Sequence, residues 1–463
     1  MATSADGPGP TPSGAPGPPG RPDPVALLRS RSYLRLLVLA AILGVPISAA
    51  AYGFLALVSF LQEEIFTDLP HGLGFSTEPV WWPLPVLAVG GVLAGFAIRY
   101  LPGRGGASPA GGFAMHPAPA PSQLPGVLLA ALATLAFGAV LGPELPLIAL
   151  GGGLCLIVIR LSRRPVPDQA ARVLTVTGSF AALSTLLGSP ITGAFVLMEA
   201  SGLGGPLLGL ILLPGLLASG IGALIFIGLD NLTGLGTFSL ALPGLPSFSQ
   251  PTVAEFGWAI AIGVAAALIG PAIRRLALYL KPHTDKRTML IVPLAGVTVA
   301  VLAIIYAEAT GKPTSDVLFS GQNQLDPLIT HAASYSVGAL LLLLACKGLA
   351  YAVSLSNFRG GPIFPAMFIG AAGGIALSHL PGLPMIAGVA MGIGALSVVI
   401  LTLPLSAVLL ATLLLASDGL ALMPLVIVAV VVAHVAAAHL APRFAEHPAG
   451  TAGQPTAGVT RGL

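Results

Sequence analysis

Five stretches of this chain run for about twenty residues with hardly a charge, the length a spanning helix needs. They are Tyr33 to Leu61, Leu124 to Leu141, Leu203 to Gly228, Met289 to Ala307 and Leu420 to Leu440. Only 8% of the 463 residues are charged, against about 25% in a soluble domain. A globule so poor in charge has too little polar surface to stay wetted. The runs are continuous and rich in Leu, Ala, Gly and Val, without the period-two alternation of a membrane barrel. They predict an all-α polytopic membrane protein, because helices satisfy their own backbone in lipid.

The net charge of +3 does not point to nucleic acid. The basic residues flank apolar runs: Arg29, Arg31 and Arg35; Arg160, Arg163, Arg164 and Arg172; Arg274, Arg275, Lys281, Lys286 and Arg287. By the positive-inside rule they put the N-terminus, and loops near 163 and 283, in the cytoplasm of a multi-pass cell-membrane protein. Both termini are then expected to be cytoplasmic. Residues 1–28 and 442–463 read as Pro/Gly-rich tails without structure, and 29–441 as one transmembrane domain. Cys155 and Cys346 stand alone in apolar runs and imply neither disulfide nor metal. No cofactor is expected. No nucleophile–base pair, P-loop or dinucleotide fingerprint stands out, so an enzyme is not expected.

Glycine (59) and proline (43) lie within the apolar stretches. This predicts many short, tilted or broken helices, tolerated where protein or a wet cavity satisfies the freed backbone. The interruptions also recur. Gly142-Pro143-Glu144-Leu145-Pro146 precedes Gly151, and Gly361-Pro362-Ile363-Phe364-Pro365 precedes Gly370, 219 residues later. Ala182-Leu183-Ser184 and Pro190 return as Ala395-Leu396-Ser397 and Pro404, at an offset of 213 to 214. Two ordered pairs at nearly one offset imply a duplication. The first repeat then covers about 30–250 and the second about 251–441, joined near the basic segment 271–287 read as a loop. Interrupted segments in matching positions point to a midplane binding site.

At Gly142-Pro143 and Gly361-Pro362 a helix is predicted to start, with Pro at its first position. The free N–H groups of a helix start carry about half a positive charge and bind anions without a basic residue. Glu144 then reads as a tethered anion that competes for the same place. An acid in a first turn ordinarily just caps its helix, but an ionisable side chain deep in an apolar run marks function by default. Glu199 is the other acid near a buried segment. Lys347 is expected to snorkel or pair, and Ser417-Asp418-Gly419 reads as a turn.

These motifs, in this order, resemble the CLC chloride channels and proton–chloride antiporters. Gly142 to Pro146 looks like the family's gating-glutamate signature, and Gly360 to Pro365 is similar to its second-half signature. The resemblance implies a CLC-like inverted repeat, a homodimer with one anion pathway per subunit in a lipid bilayer, and Glu144 as the gate. It further implies that anions bind around Gly106, Ser108, Gly142, Pro143, Leu145, Gly361, Ile363 and Phe364. The departures are specific. Gly106 stands where the family has an anion-coordinating serine, with Ser108 two positions later. Pro143 stands for a basic residue, and no tyrosine follows Tyr351. Ala200 aligns with the family's intracellular proton glutamate, while Glu199 is one residue earlier. The expected function is permeation of chloride or another small anion, as a channel in preference to a proton-coupled antiporter, with Glu199 as the candidate proton path. A transporter for another solute and a non-transporting scaffold are the other readings.

Overall fold

The computed structural model describes residues 29–440 except 163–165, 203–205, 241, 243–247, 249 and 416–418. Both tails, Arg163, Arg164 and the predicted turn at Ser417-Asp418 therefore lie outside the described residues. Everything regular among the described residues is helical. Helix α1 (Arg31–Glu63) continues through a π-turn and a last α-turn to Gly72. There follow α2 (Pro83–Tyr100), α3 (Leu124–Leu135), α4 (Glu144–Leu161), α5 (Asp168–Leu183), α6 (Pro190–Ala200) and α7 (Pro206–Thr233). Then come α8 (Val253–Lys286), α9 (Thr288–Thr310), α10 (Gln322–Thr330), α11 (Val337–Asn357), α12 (Ile363–Leu377), α13 (Met385–Leu401), α14 (Pro404–Leu414) and α15 (Gly419–Leu440).

Eight of these segments are long and apolar enough to cross a membrane. The outer helices show lipid-facing stripes: Leu34, Val38, Ile42 and Val45 on α1, and Leu290, Leu294, Val301 and Ile305 on α9, are all exposed. Spaced three, four or seven apart, each set occupies one face. A soluble monomer rarely exposes such patches, whereas a bilayer covers them. The inner helices α12 and α13 are the reverse, buried along almost their whole length.

The short helices are short for visible reasons. The run Leu124 to Leu141, expected to span, is helical only to Leu135. Gly138 adopts φ +91, and the chain beyond it is stitched to the other half of the molecule. The Gly138 carbonyl accepts from the Phe319 N–H at 3.0 Å, and the Val140 N–H donates to Ser354 Oγ at 3.1 Å. These bonds give the extended backbone the partners that lipid cannot supply. Segment 271–287 also differs from expectation: it is no loop. Helix α8 runs through Pro271 and Pro282 to Lys286, and the chain turns only at Arg287. Position 271 already lies well inside a 34-residue helix, where packing on α15 outweighs one lost backbone bond. Lys347 does not snorkel. It is wholly buried, and its Nζ donates to the carbonyls of Asp316, Val317 and Leu318 at 2.8 to 3.1 Å. The ammonium also sits 4.3 Å from the Phe368 ring centroid, a cation–π contact in a water-poor setting.

Small residues let the inner helices touch by backbone. Gly151 of α4 lies against the Gly178 carbonyl of α5, and Gly370 of α12 lies against the Gly392 carbonyl of α13. A Cβ at either place meets that backbone at a distance no real contact allows. This is the small-residue packing that membrane helices use in place of a hydrophobic driving force.

Candidate functional site

Helices α4 and α12 both begin in the protein interior, and their leading segments meet. Gly142 and Gly361 form an isolated antiparallel bridge. The Gly142 N–H donates to the Gly361 carbonyl at 2.8 Å, and the Gly361 N–H to the Gly142 carbonyl at 2.5 Å. Pro143 and Pro362 occupy the cap positions, with helical geometry starting one residue later than predicted. A one-residue displacement is ordinary at a helix end.

Glu144 projects across this bridge. It is fully buried, and its Oε1 accepts from the Phe364 backbone N–H at 3.0 Å. Oε2 is buried with no hydrogen-bond partner. The carboxylate therefore lies at the N-terminus of α12, in the place that the free N–H groups there favour for an anion. The glycines are required for this approach. A Cβ on Gly142 or Gly361 collides with the Glu144 carboxylate, and a Cβ on Gly360 meets Leu141 and the Gly142 carbonyl.

A cavity of about 1010 Å³ approaches the carboxylate from one side. Asp168 and Arg172 of α5 line it, and it extends to Gly106, Leu145, Arg359 and Gly360. Glu144 is not among its lining residues, so the cavity stops one residue short of the carboxylate. The loop 101–112 shapes its inner part. Gly103, Arg104, Gly105 and Gly106 all have positive φ, a run that only a glycine-rich segment adopts without strain. Ser108 caps the short turn Pro109–Gly111, and its Oγ is buried without a partner.

The structure thus brings together Gly142, Glu144, Gly361 and Phe364, with Pro143 and Ile363 between them. It puts Leu145 and Gly106 on the cavity wall. Glu199 lies elsewhere in its contacts. Its carboxylate accepts from the N–H groups of Leu405 and Ser406 at 3.0 and 2.7 Å, and from Ser406 Oγ at 2.6 Å. It caps α14 from the end of α6.

Two residues were not picked out from the sequence. The Tyr351 hydroxyl donates to the Pro362 carbonyl at 2.7 Å, fully buried beside the bridge. Arg359 lines the cavity directly before Gly360. The one available signal for Arg359 was a cation adjoining a Gly-Gly-Pro start, and for Tyr351 there was none.

The comparisons with known proteins agree with this architecture. A slow cyanobacterial Cl⁻/H⁺ antiporter aligns with TM-score 0.72 at 18% identity, over 88% of this chain and 95% of that one. A CLC-type fluoride/proton antiporter aligns with TM-score 0.65 at 19% identity, over 87% and 95%. At such identities the likeness speaks for the fold. In sequence, the YfeO ion-transport protein of Salmonella schwarzengrund (strain CVM19633) is 30% identical over 366 residues, covering 77% of this chain and 84% of that protein. Its counterpart in Escherichia coli O9:H4 (strain HS) is 29% identical over 366 residues. The family model described as voltage gated chloride channel matches residues 90–438, a range that takes in both Gly-Pro helix starts, the bridge and Glu144, and the chain belongs to that family.

Proposed function

We propose that this protein lets small inorganic anions, chloride first, cross a cell membrane by a path that Glu144 gates. The observation that carries the reading is the Glu144 carboxylate seated on the Phe364 N–H at the start of α12. A carboxylate there is a stand-in for the permeating anion, tethered by its own chain. Protonation removes its charge, and a competing anion displaces it. Either event frees the N–H groups for a mobile ion. No full positive charge holds the anion there, so it binds weakly enough to leave. The backbone around Gly142, Pro143, Leu145, Gly361, Ile363 and Phe364 forms the anion's path, with Gly106 on the cavity wall and Ser108 two residues further along the same loop. The cavity is the cytoplasmic vestibule in this reading, since the exposed Arg172 of a basic segment lines it. The subunit works as a homodimer with one path in each copy.

Uncoupled permeation is supported by the Glu199 carboxylate, which is engaged three times over at the α14 start. Ala200 holds no proton. Coupled exchange is the second reading, favoured because both solved neighbours named above are proton antiporters. The test is flux from proteoliposomes with chloride, fluoride and nitrate, followed by the reversal potential under an imposed pH gradient. Inert, correctly inserted protein overturns anion permeation. A reversal potential that shifts with the proton gradient establishes exchange, and its loss in Glu199→Gln places the proton route at that residue.

A further inference from the structure

We infer that Arg359 builds a separate anion station on the cavity wall, one that favours planar oxoanions such as nitrate over spherical halides. The inference rests on the anion-permeation reading for its physiological meaning, though not for its geometry.

Arg359 lies between the end of α11 and the bridge residue Gly361, and it lines the cavity together with Gly105, Gly106 and Gly360. Its position is set at three points. The backbone N–H donates to Thr134 Oγ1 at 3.2 Å. The stem packs against the Gly105 turn so closely that a Cβ on Gly105 falls 3.1 Å from Arg359 Cγ. One terminal nitrogen, Nη1, donates to the Phe358 carbonyl at 3.0 Å. Only the last of these touches the guanidinium, and it leaves the Nε–Nη2 edge. Nε is buried with no hydrogen-bond partner, and no bond to Nη2 is made among the described residues. No carboxylate lies within ion-pair distance of Arg359 among them; Asp285 acts on it only through space.

An arginine edge with two parallel N–H groups is the bidentate partner of an anion that presents two oxygens in one plane. A buried donor without a partner costs free energy that such an anion recovers. The other charged or titratable side chains on the cavity are Arg172, His116 and Asp168. Asp168 and Arg172 lie one helix turn apart on α5 and are exposed, whereas Arg359 is partly buried, so Arg359 is the deeper cation of the cavity. A halide meets the same charge but engages the fork at one point. Lysine supplies the charge without the fork. The station therefore collects anions one step before the Glu144 barrier and biases which anion arrives.

The experiment compares wild type with Arg359→Gln and Arg359→Lys. Nitrate and chloride binding are titrated calorimetrically in detergent, and fluxes of both ions are measured in liposomes. Wild type binds nitrate more tightly than chloride, and Arg359→Gln weakens nitrate about tenfold or more, the loss expected for a charge-assisted bidentate contact. Arg359→Lys keeps chloride binding and loses the nitrate preference, which also separates loss of the fork from loss of fold. Equal nitrate affinity in wild type and a folded Arg359→Gln overturns the station, as does wild type that binds no nitrate. If wild type carries neither anion while nitrate binding still falls in Arg359→Gln, the station stands and the permeation reading fails.

Discussion

Gly142-Pro143-Glu144-Leu145-Pro146 and Gly361-Pro362-Ile363-Phe364-Pro365 are built alike and used differently. Both start an inner helix, both place a glycine in the central bridge, and both are followed by a glycine that touches the next helix by backbone. They differ at two positions, Leu145 against Phe364 and Glu144 against Ile363, and only the second changes a charge. The first segment carries a carboxylate at Glu144, and the second carries Ile363 there. One side therefore supplies a carboxylate and the other receives it on the Phe364 N–H. The pattern extends further. Glu199, near the end of α6, sits on the N-terminus of α14, and Glu78, in the loop before α2, accepts from Thr314 Oγ1 at 3.2 Å. Acids of the earlier part of the chain meet helix starts and turns of the later part. A matched scaffold gives a symmetric cradle, and a single unmatched acid gives it something to hold.

The strongest way to break this comparison is to fill the cradle. Gly361→Ala puts a Cβ into the Glu144 carboxylate. Overpacking of this kind costs on the order of 1–3 kcal/mol or more, so the melting temperature measured in detergent should fall steeply. Combining it with Glu144→Ala removes the colliding group and should recover much of the loss. No recovery in the double variant would show that the bridge itself, and not the carboxylate, needs the glycine.

The next test removes the unmatched acid. Glu144→Gln keeps the shape and discards the charge, so liposome flux should persist while losing most of its pH dependence. Glu144→Ile with Ile363→Glu moves the acid to the other segment. If the two segments are interchangeable cradles, pH-dependent flux returns in the double variant relative to Glu144→Ile alone. Ordinary acid activation in Glu144→Gln would reduce Glu144 to a helix cap.

A smaller effect is expected at the second acid. Glu199→Ala frees the Leu405 and Ser406 N–H groups at the start of α14, and losing such a cap costs about 1–2 kcal/mol. Thermal melts should show this drop with anion flux kept. Loss of flux with no change in melting would mean that Glu199 acts in transport and not as a cap.

The smallest effect concerns Glu78, outside the spanning helices. Burial pushes its carboxyl up to about 7 from the usual 4.5. The folded state then binds more protons than the unfolded state between those values. Stability should fall as pH rises through this window, and Glu78→Gln should flatten that slope in melts taken from pH 4 to 8. An unchanged slope would place the carboxyl in water instead of in a buried site.

The membrane class was legible from the apolar runs alone, because a lipid-facing helix leaves no choice about which residues it carries. Glu144 was legible too, since an acid in such a run has no inexpensive place to go. The Gly-Pro starts announced where helices begin because proline forbids an earlier turn. Other features were not readable. Segment 271–287 looks like a loop by its prolines and charges, and only packing against α11, α13 and α15 makes it helix. Leu124 to Leu141 looks like a span, and only the bonds from Gly138 and Val140 to the far half break it. Lys347 became a buried clamp on three carbonyls because the turn at 316–318 is folded onto it. Arg359 gained its free edge because the Thr134 hydroxyl, the Gly105 turn and the Phe358 carbonyl hold the rest. Local preference depends on neighbours a few residues away and is written in the chain. Which donor faces which acceptor across 200 residues depends on how the halves dock, and that geometry exists only in the folded molecule.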